Sequence, residues 1–261
     1  MRGGEAARFV IFAAPRTGSN LLCSLLNAHP DILCHHGLFN PGGIHWARDW
    51  QGSSSFLRGI PERDTDPAAF IDAVWATGGA ARAIGFKMNR DENDDAARVL
   101  LRDPSVLKIL LRRRNRVRTY VSEEIARLTG IWESFDPPAE TAIPAVHVDA
   151  DDLVRHTALN EAHYAAIEEK LQASRQGWFG TYYEALADPG ELTGILAFLG
   201  VEAHAPLLAA SHKRGTGDLA AIVENFDELA SALRGTALLD DLYGEDVPEL
   251  SRHDFTAQER H

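Results

Sequence analysis

The stretch RFVIFAAPRTGSNLLCSLLN at residues 8–27 constrains this chain more than any other. Its first part, 8–14, reads as a short buried strand. Pro15 to Ser19 break that strand, and from Asn20 to Asn27 the apolar residues Leu21, Leu22, Leu25 and Leu26 fall at helical spacing. A buried strand entering a helix through a tight turn is the opening unit of an α/β sheet. The same alternation continues along the chain. Strands are predicted at 31–35, 83–88, 105–111 and 178–183, and helices at 67–78, 91–101, 114–128, 149–174 and 189–199. Strands alternating with helices predict a mainly parallel sheet covered on both faces. The 261 residues suffice for one such domain and are short for two. Residues 37–65 carry Gly, Pro, Ser and mixed charge with weak periodicity, a length that suits a lid or an acceptor-site insertion. The C-terminal part, from about 205, reads as polar and helical in places.

Charge narrows the partners. A net charge of −12 argues against non-specific binding of nucleic acid or of acidic membranes, while a local anion site stays open. The two cysteines, Cys23 and Cys34, form neither a zinc-type pair nor a disulfide framework. No apolar run is long enough to span a bilayer, so stable membrane insertion is not expected and a reducing cytoplasm is the expected location. The sequence is silent on oligomeric state, and an oligomer is compatible with it.

Two constellations bear on chemistry. Pro15-Arg16-Thr17-Gly18-Ser19-Asn20 joins the first strand to the first helix. Gly18 permits a tight turn, the N–H groups of the helix start would point at an anion, and Thr17, Ser19 and Arg16 add donors and charge. The GxxxxGK[ST] pattern is absent. A plain strand–helix turn capped by Ser19 would fit the same string. The second constellation is Arg112-Arg113-Arg114-Asn115-Arg116-Val117-Arg118, at the C-terminal end of a buried strand, where open α/β sheets bind ligands. Five arginines in seven residues need solvent or anions around them, and a solvated basic face is the competing reading. Ser122 follows Arg114 by eight residues.

Taken in order, these segments resemble the sulfotransferases that use 3′-phosphoadenosine-5′-phosphosulfate (PAPS). The likeness is strongest to the bacterial branch related to the nodulation-factor and trehalose sulfotransferases. Pro15 to Leu22 resemble its 5′-phosphosulfate loop. Arg114, Asn115 and Ser122 resemble its 3′-phosphate motif. Gly85 to Met88 and Tyr182-Tyr183-Glu184-Ala185-Leu186 are also similar to family segments, with Tyr183 near the adenine. Lys213-Arg214-Gly215-Thr216-Gly217 resembles a shortened form of the final basic loop that reaches the 3′-phosphate. The resemblance implies a P-loop-like three-layer α/β fold, with a central, mainly parallel sheet flanked by helices. It implies PAPS as donor, its product PAP, and a hydroxylated small-molecule, glycan or glycolipid acceptor. Donor-site residues are then Pro15, Arg16, Thr17, Gly18, Ser19, Asn20, Arg114, Ser122, Tyr183, Lys213, Arg214 and Gly215.

Transfer needs a base for the acceptor proton and cations where charge develops on oxygen. In the resembling branch a glutamate precedes Leu-Phe-Asn-Pro; here Gly37 holds that position, after His35 and His36. A neighbouring histidine has a suitable ordinary pKa of about 6.5. His36 is therefore expected as the base, with His35 behind it, since adjacent strand residues face opposite ways. A base from elsewhere and an impaired enzyme stay open. Lys87 resembles the family lysine beside the bridging oxygen, and Arg16 would share that charge. A snorkelling strand-end lysine is the alternative. Near the first loop no carboxylates or histidines have convincing metal-ligand spacing, and metal independence is expected. Two other functions stay in view: a catalytically impaired PAP(S)-binding module, and a P-loop kinase-like phosphotransferase. His45, Trp46, Trp50 and Phe56 are offered either for stacking on an acceptor ring or for packing the loop onto the core.

Overall fold

A computed structural model describes residues 5–52, 59–132, 143–203 and 218–244. Five strands form one sheet: β1 (Ala7–Ala13), β2 (Ile32–Gly37), β3 (Ala83–Asn89), β4 (Val106–Arg112) and β5 (Trp178–Tyr182). Their order is β2-β3-β1-β4-β5, and every pairing is parallel. The expected strands are all present, and the sheet is wholly rather than mainly parallel.

The central strand β1 shows why a continuous apolar run was needed. Phe9, Ile11 and Ala13 face a core built with helix α1 (Ser19–Asn27), and Val10 and Phe12 face a second core. That second core draws on Phe70, Ile71 and Val74 in what becomes helix α3 (Pro67–Trp75). The chain reaches it through the short helix α2 (Ile60–Thr65). It also takes residues from α4 (Asp94–Arg102) and Ile167 and Leu171 of α6 (Ala150–Ala173), which follows α5 (Arg116–Thr129) in the chain. The first core is closed by Leu192, Ile195 and Leu196 of α7 (Pro189–Phe198). Helices thus lie on both faces, the three-layer α/β arrangement read from the sequence.

Three local boundaries differ from expectation. The helix predicted at 67–78 ends at Trp75 and tightens into a 3-10 turn over Ala76–Gly78. The helix predicted from 91 starts at Asp94, because Asp91 adopts φ +66° and the Asn93 side chain accepts from the Ala96 N–H at 2.8 Å. The basic helix starts at Arg116, capped by Asn115, whose Oδ1 accepts from the Arg118 N–H at 2.8 Å.

The two segments read as irregular have firmer structure than their composition suggested. In the 37–65 segment, Arg63 of α2 is almost fully buried and donates through Nη1 to the carbonyls of Leu38, Asn40 and Gly43. It pins the loop after β2, a role invisible in a mixed-charge string. In the tail, α8 (Leu219–Ile222), α9 (Phe226–Ala232) and α10 (Leu238–Tyr243) bury Leu219, Ile222, Leu229, Leu238 and Leu242 in a third core shared with Val117 and Val121 of α5. No described helix is long and apolar enough to cross a membrane.

Candidate active site

The loop after β1 is fixed from below and left open above. Tyr164, buried on α6, donates its hydroxyl to the Leu111 carbonyl (2.6 Å) and accepts from the Ala14 N–H (2.7 Å), so it ties the ends of β4 and β1 together. Burial pushes its phenol up to about 12, so it stays a donor at any physiological pH. Thr17 turns its hydroxyl back onto the Ala14 carbonyl at 2.7 Å. Arg16 at φ +62° and Gly18 at φ +90° both adopt left-handed backbone. Gly18, not Ser19, stands at the helix N-cap, and it supplies no capping side chain. The first N–H groups of α1 therefore have neither an intrahelical carbonyl nor a side-chain cap. Only glycine fits position 18: a Cβ there would lie 2.4 Å from Cδ2 of Tyr183.

The arginine-rich stretch closes one side of this loop, and its charges divide into two groups. Arg112 pairs with Glu168 (2.9 Å) over the Tyr164 ring, Arg116 pairs with Asp241 (2.6 Å), and Arg118 donates to the Gly244 carbonyl (3.1 Å). These three anchor helices. Arg113 lies over the Tyr183 ring (4.7 Å) and donates to the Arg16 carbonyl (3.3 Å), while the exposed Arg114 lies over the Tyr182 ring (4.5 Å). Glu184 accepts from the N–H groups of Arg114 (3.0 Å) and Asn115 (3.3 Å), which shapes the turn into α5. Ser122, two turns into α5, accepts from Nε of Arg16 at 2.9 Å. Arg16 also donates to the carbonyl of Trp132.

On the other side of the loop stand β2 and β3. Lys87 pairs in register with Ile11 of β1 and with Gly37 of β2, and it is 7% exposed. Among the described residues its ammonium has no hydrogen-bonded or ion-paired partner. A buried cation so placed is costly unless an anion joins it. The register of β2 slips between His35 and Gly37, so His36 sits in an irregularity of the strand. The two histidines diverge as alternation required. His35 is fully buried: its Nδ1 accepts from the Ala47 N–H (3.1 Å), and its Nε2 lies 3.2 Å from the Thr77 hydroxyl. Burial, and then the charge of His36, pull its pKa down to about 3. Trp46 and Trp50 pack edge-on to its ring, at 4.9 and 5.2 Å. These tryptophans thus pack the loop onto the core. His36 turns toward α1, with Nδ1 3.5 Å from the Asn20 side-chain oxygen.

The structure thus brings Arg16, Gly18, Ser19, Asn20, His36, Lys87, Ser122 and Tyr183 around one loop. It keeps His35 in the core and Arg114 at the rim, and Pro15 is half-buried at the start of the turn. Lys213, Arg214, Gly215 and Phe56 lie outside the described residues. Sequence reading missed Tyr164 and Glu92, and it gave Glu184, quoted within a family-like segment, no role. The Glu92 carboxylate accepts from the Asn89 backbone N–H (3.0 Å) and from its side-chain amide (2.8 Å).

No family model matches the chain. Two curated proteins do. Nodulation protein H of Rhizobium tropici is 28% identical over 236 residues, covering 87% of this chain and 89% of the relative. Nodulation protein H of Rhizobium meliloti (strain 1021) is 26% identical over 230 residues, covering 85% and 89%. The chain is thus similar to sulfotransferases. Among solved structures, a sulfotransferase from Alicyclobacillus acidocaldarius superposes with a TM-score of 0.46 at 19% identity, covering 92% of this chain and 96% of that one. A mouse sulfotransferase, SULT7A1, complexed with PAP, superposes with a TM-score of 0.42 at 13% identity, covering 95% and 77%.

Proposed function

We propose that this protein is a sulfotransferase that takes a sulfuryl group from PAPS, hands it to a hydroxyl of a small-molecule, sugar or lipid acceptor, and releases PAP. The observation that carries the reading is an uncapped helix start beside the end of β1, together with a buried Lys87 on the neighbouring β3 that has no partner among the described residues. An anion that accepts from the N–H groups of α1 would meet the helix dipole and a cation that has no other partner among the described residues. The similarity to two nodulation protein H sequences along most of the chain supports the same reading. PAPS, when bound, supplies the activated sulfuryl group and a phosphate leaving group.

The roles of the chain's own residues follow from their placement. Gly18, Ser19 and Asn20 hold the 5′-phosphosulfate through backbone N–H groups, with the Ser19 hydroxyl beside them. Arg16 adds charge, and Lys87 stabilises negative charge as it gathers on the departing oxygen. Ser122 and Arg114 take the 3′-phosphate: Ser122 is already tied to the loop through Arg16, and Arg114 is an exposed cation stacked on the Tyr182 ring. Tyr183 serves by filling the space beside Gly18 and carrying Arg113 on its face. His36 steadies Asn20, and His35 fixes the loop after β2. The acceptor meets the site from the β2–β3 side.

The test is a comparison of nucleotides. Losing one charge-assisted phosphate contact typically costs about 1.5–3 kcal/mol. Arg114→Ala should weaken PAP by roughly ten- to a hundred-fold, and weaken adenosine 5′-phosphosulfate, which lacks the 3′-phosphate, much less. Calorimetric titration reads both. Equal losses for the two nucleotides would remove Arg114 from the 3′-phosphate site, and no binding of either by the unaltered protein would remove the reading.

A further inference from the structure

We propose that Glu92 is the proton acceptor of this site, its carboxylate using the space that Gly37 leaves open beside Lys87. The inference rests on the sulfotransferase reading and names a catalytic group within it.

The placement is built by the turn after β3. Asp91 adopts φ +66°, which reverses the chain so that the Glu92 N–H donates to the Asn89 carbonyl at 3.3 Å. The Glu92 side chain folds back over the same turn. Oε2 accepts from the Asn89 N–H and Oε1 from the Asn89 side-chain amide. This two-point grip orients a half-buried carboxylate toward the end of β2. There, a Cβ on Gly37 would lie 3.5 Å from Glu92 Oε1, 3.7 Å from Lys87 Nζ and 3.4 Å from the Asn40 Cβ. Glycine at position 37 thus leaves the room of one methyl group between a carboxylate and an ammonium. Asn89 extends the connection to the donor loop, since its Oδ1 lies 3.4 Å from the Ser19 hydroxyl, which donates to it. Ser19, Asn89 and Glu92 form one hydrogen-bonded chain from the helix start to the carboxylate.

Each Glu92 oxygen keeps lone-pair capacity after its bond to Asn89. Of the other groups near this space, Lys87 is a cation, Asn89 and Asn40 are amides, and His36 faces Asn20. Asp91, the adjacent carboxylate, is exposed and paired with Arg90. In the step proposed, the acceptor oxygen bonds to sulfur as its proton passes to Glu92. The bond from sulfur to the bridging phosphate oxygen breaks, and that oxygen keeps the electron pair beside Lys87. Glu92 then returns the proton to solvent.

The test uses the full chain with labelled PAPS and a set of monosaccharides, p-nitrophenol and simple alcohols, with water as the acceptor of last resort. Glu92→Gln should lower turnover by about 10²–10³-fold, within the range of general-base assistance, while PAP binding by calorimetry changes less than about threefold. Because Gln could also disturb the turn, two further readouts separate chemistry from structure. Added formate should restore part of the turnover of Glu92→Ala. Gly37→Glu in the Glu92→Gln background should also restore it, because its Cβ would start 3.5 Å from the Glu92 carboxylate position and position 37 has ordinary backbone. Near-normal turnover in Glu92→Gln overturns the assignment. So does a loss that neither formate nor Gly37→Glu repairs, and so does PAP binding without turnover in the unaltered protein. Failure of the unaltered protein to bind PAP would instead strike the sulfotransferase reading itself.

Discussion

Arg16 and Ser122 are 106 residues apart in sequence and 2.9 Å apart in space, with the guanidinium Nε donating to the hydroxyl. The contact joins the two motifs that the sequence offered separately for the two ends of one nucleotide. It also explains why Arg16 tolerates left-handed backbone, since a partner at the far side of the loop fixes where its side chain must go. Ser122→Ala removes one charge-assisted contact, worth about 1.5–3 kcal/mol. The expected outcome is roughly a ten- to hundredfold loss of PAP affinity with a smaller change in thermal stability. A loss of stability with unchanged affinity would make the contact purely structural.

Gly18 and Tyr183 form a second dependent pair. Gly18→Ala meets a clash at 2.4 Å and a φ of +90°, so it is strained in two ways. It should cost about 1–3 kcal/mol and weaken PAP with it. Tyr183→Ala removes the clash and leaves the backbone strain. In a double-mutant cycle the two changes should therefore be less than additive, by about the steric part. Strict additivity in denaturation would show that the ring moves aside at no cost.

The parts of this site that were legible in the sequence are those with local signals. A buried strand broken by Pro-Arg-Thr-Gly marks its own turn, and Arg114 to Ser122 mark a helix start at the end of a strand. Alternation also foretold that His35 and His36 would part company, although the slip in β2 that sets their directions left no mark. The rest depends on distant partners. Glu92 lies in Asp91-Glu92-Asn93-Asp94-Asp95, which reads as the acidic first turn of a helix. Only the left-handed Asp91 and the late start at Asp94 turn Glu92 back onto Asn89. Tyr164 sits in a long helix where nothing in the run NEAHYAAIE marks its two backbone contacts, and Arg63 clamps carbonyls that no periodicity can reveal.

Metal dependence should be absent. Among the described residues no group of three His, Cys, Asp or Glu side chains is arranged to hold an ion, and on the proposed reading Lys87, Arg16 and the helix start would supply positive charge in its place. Turnover should be unchanged in excess chelator. A strict requirement for Mg²⁺ would favour phosphoryl over sulfuryl transfer.

Tyr164→Phe tests how the loop is held from below. The change keeps the ring under Arg112 and removes the hydroxyl that serves the Ala14 N–H and the Leu111 carbonyl, both fully buried. Leaving a buried polar group unsatisfied costs about 1–3 kcal/mol, so a total of roughly 2–4 kcal/mol is expected if part of the loss relaxes. PAP affinity should fall as well, because the end of β1 sets the height of the loop. Wild-type stability in this variant would mean that another group takes over both contacts.

The buried His35 predicts a specific acid sensitivity. Its folded pKa is about 3, against an ordinary value near 6.5, because burial and then His36 disfavour its charged form. Below about pH 6.5 the unfolded chain takes up a proton that the folded chain refuses until about pH 3. Stability from this group is therefore complete above pH 6.5 and falls as pH drops through that window, at up to about 1.4 kcal/mol per pH unit. His163, held to about 4 chiefly by burial, acts in the same direction, so the contribution must be read by difference. His35→Gln cannot titrate and keeps at most one of the contacts to Ala47 and Thr77. It should be less stable than wild type near pH 7, yet lose less on going to about pH 5. Denaturant unfolding of both proteins at the two pH values measures the difference, which should approach 2 kcal/mol. An unchanged acid slope in His35→Gln would mean that His35 is protonated in the folded state at about pH 5, and that its ring nitrogens are not held as the contacts to Ala47 and Thr77 require.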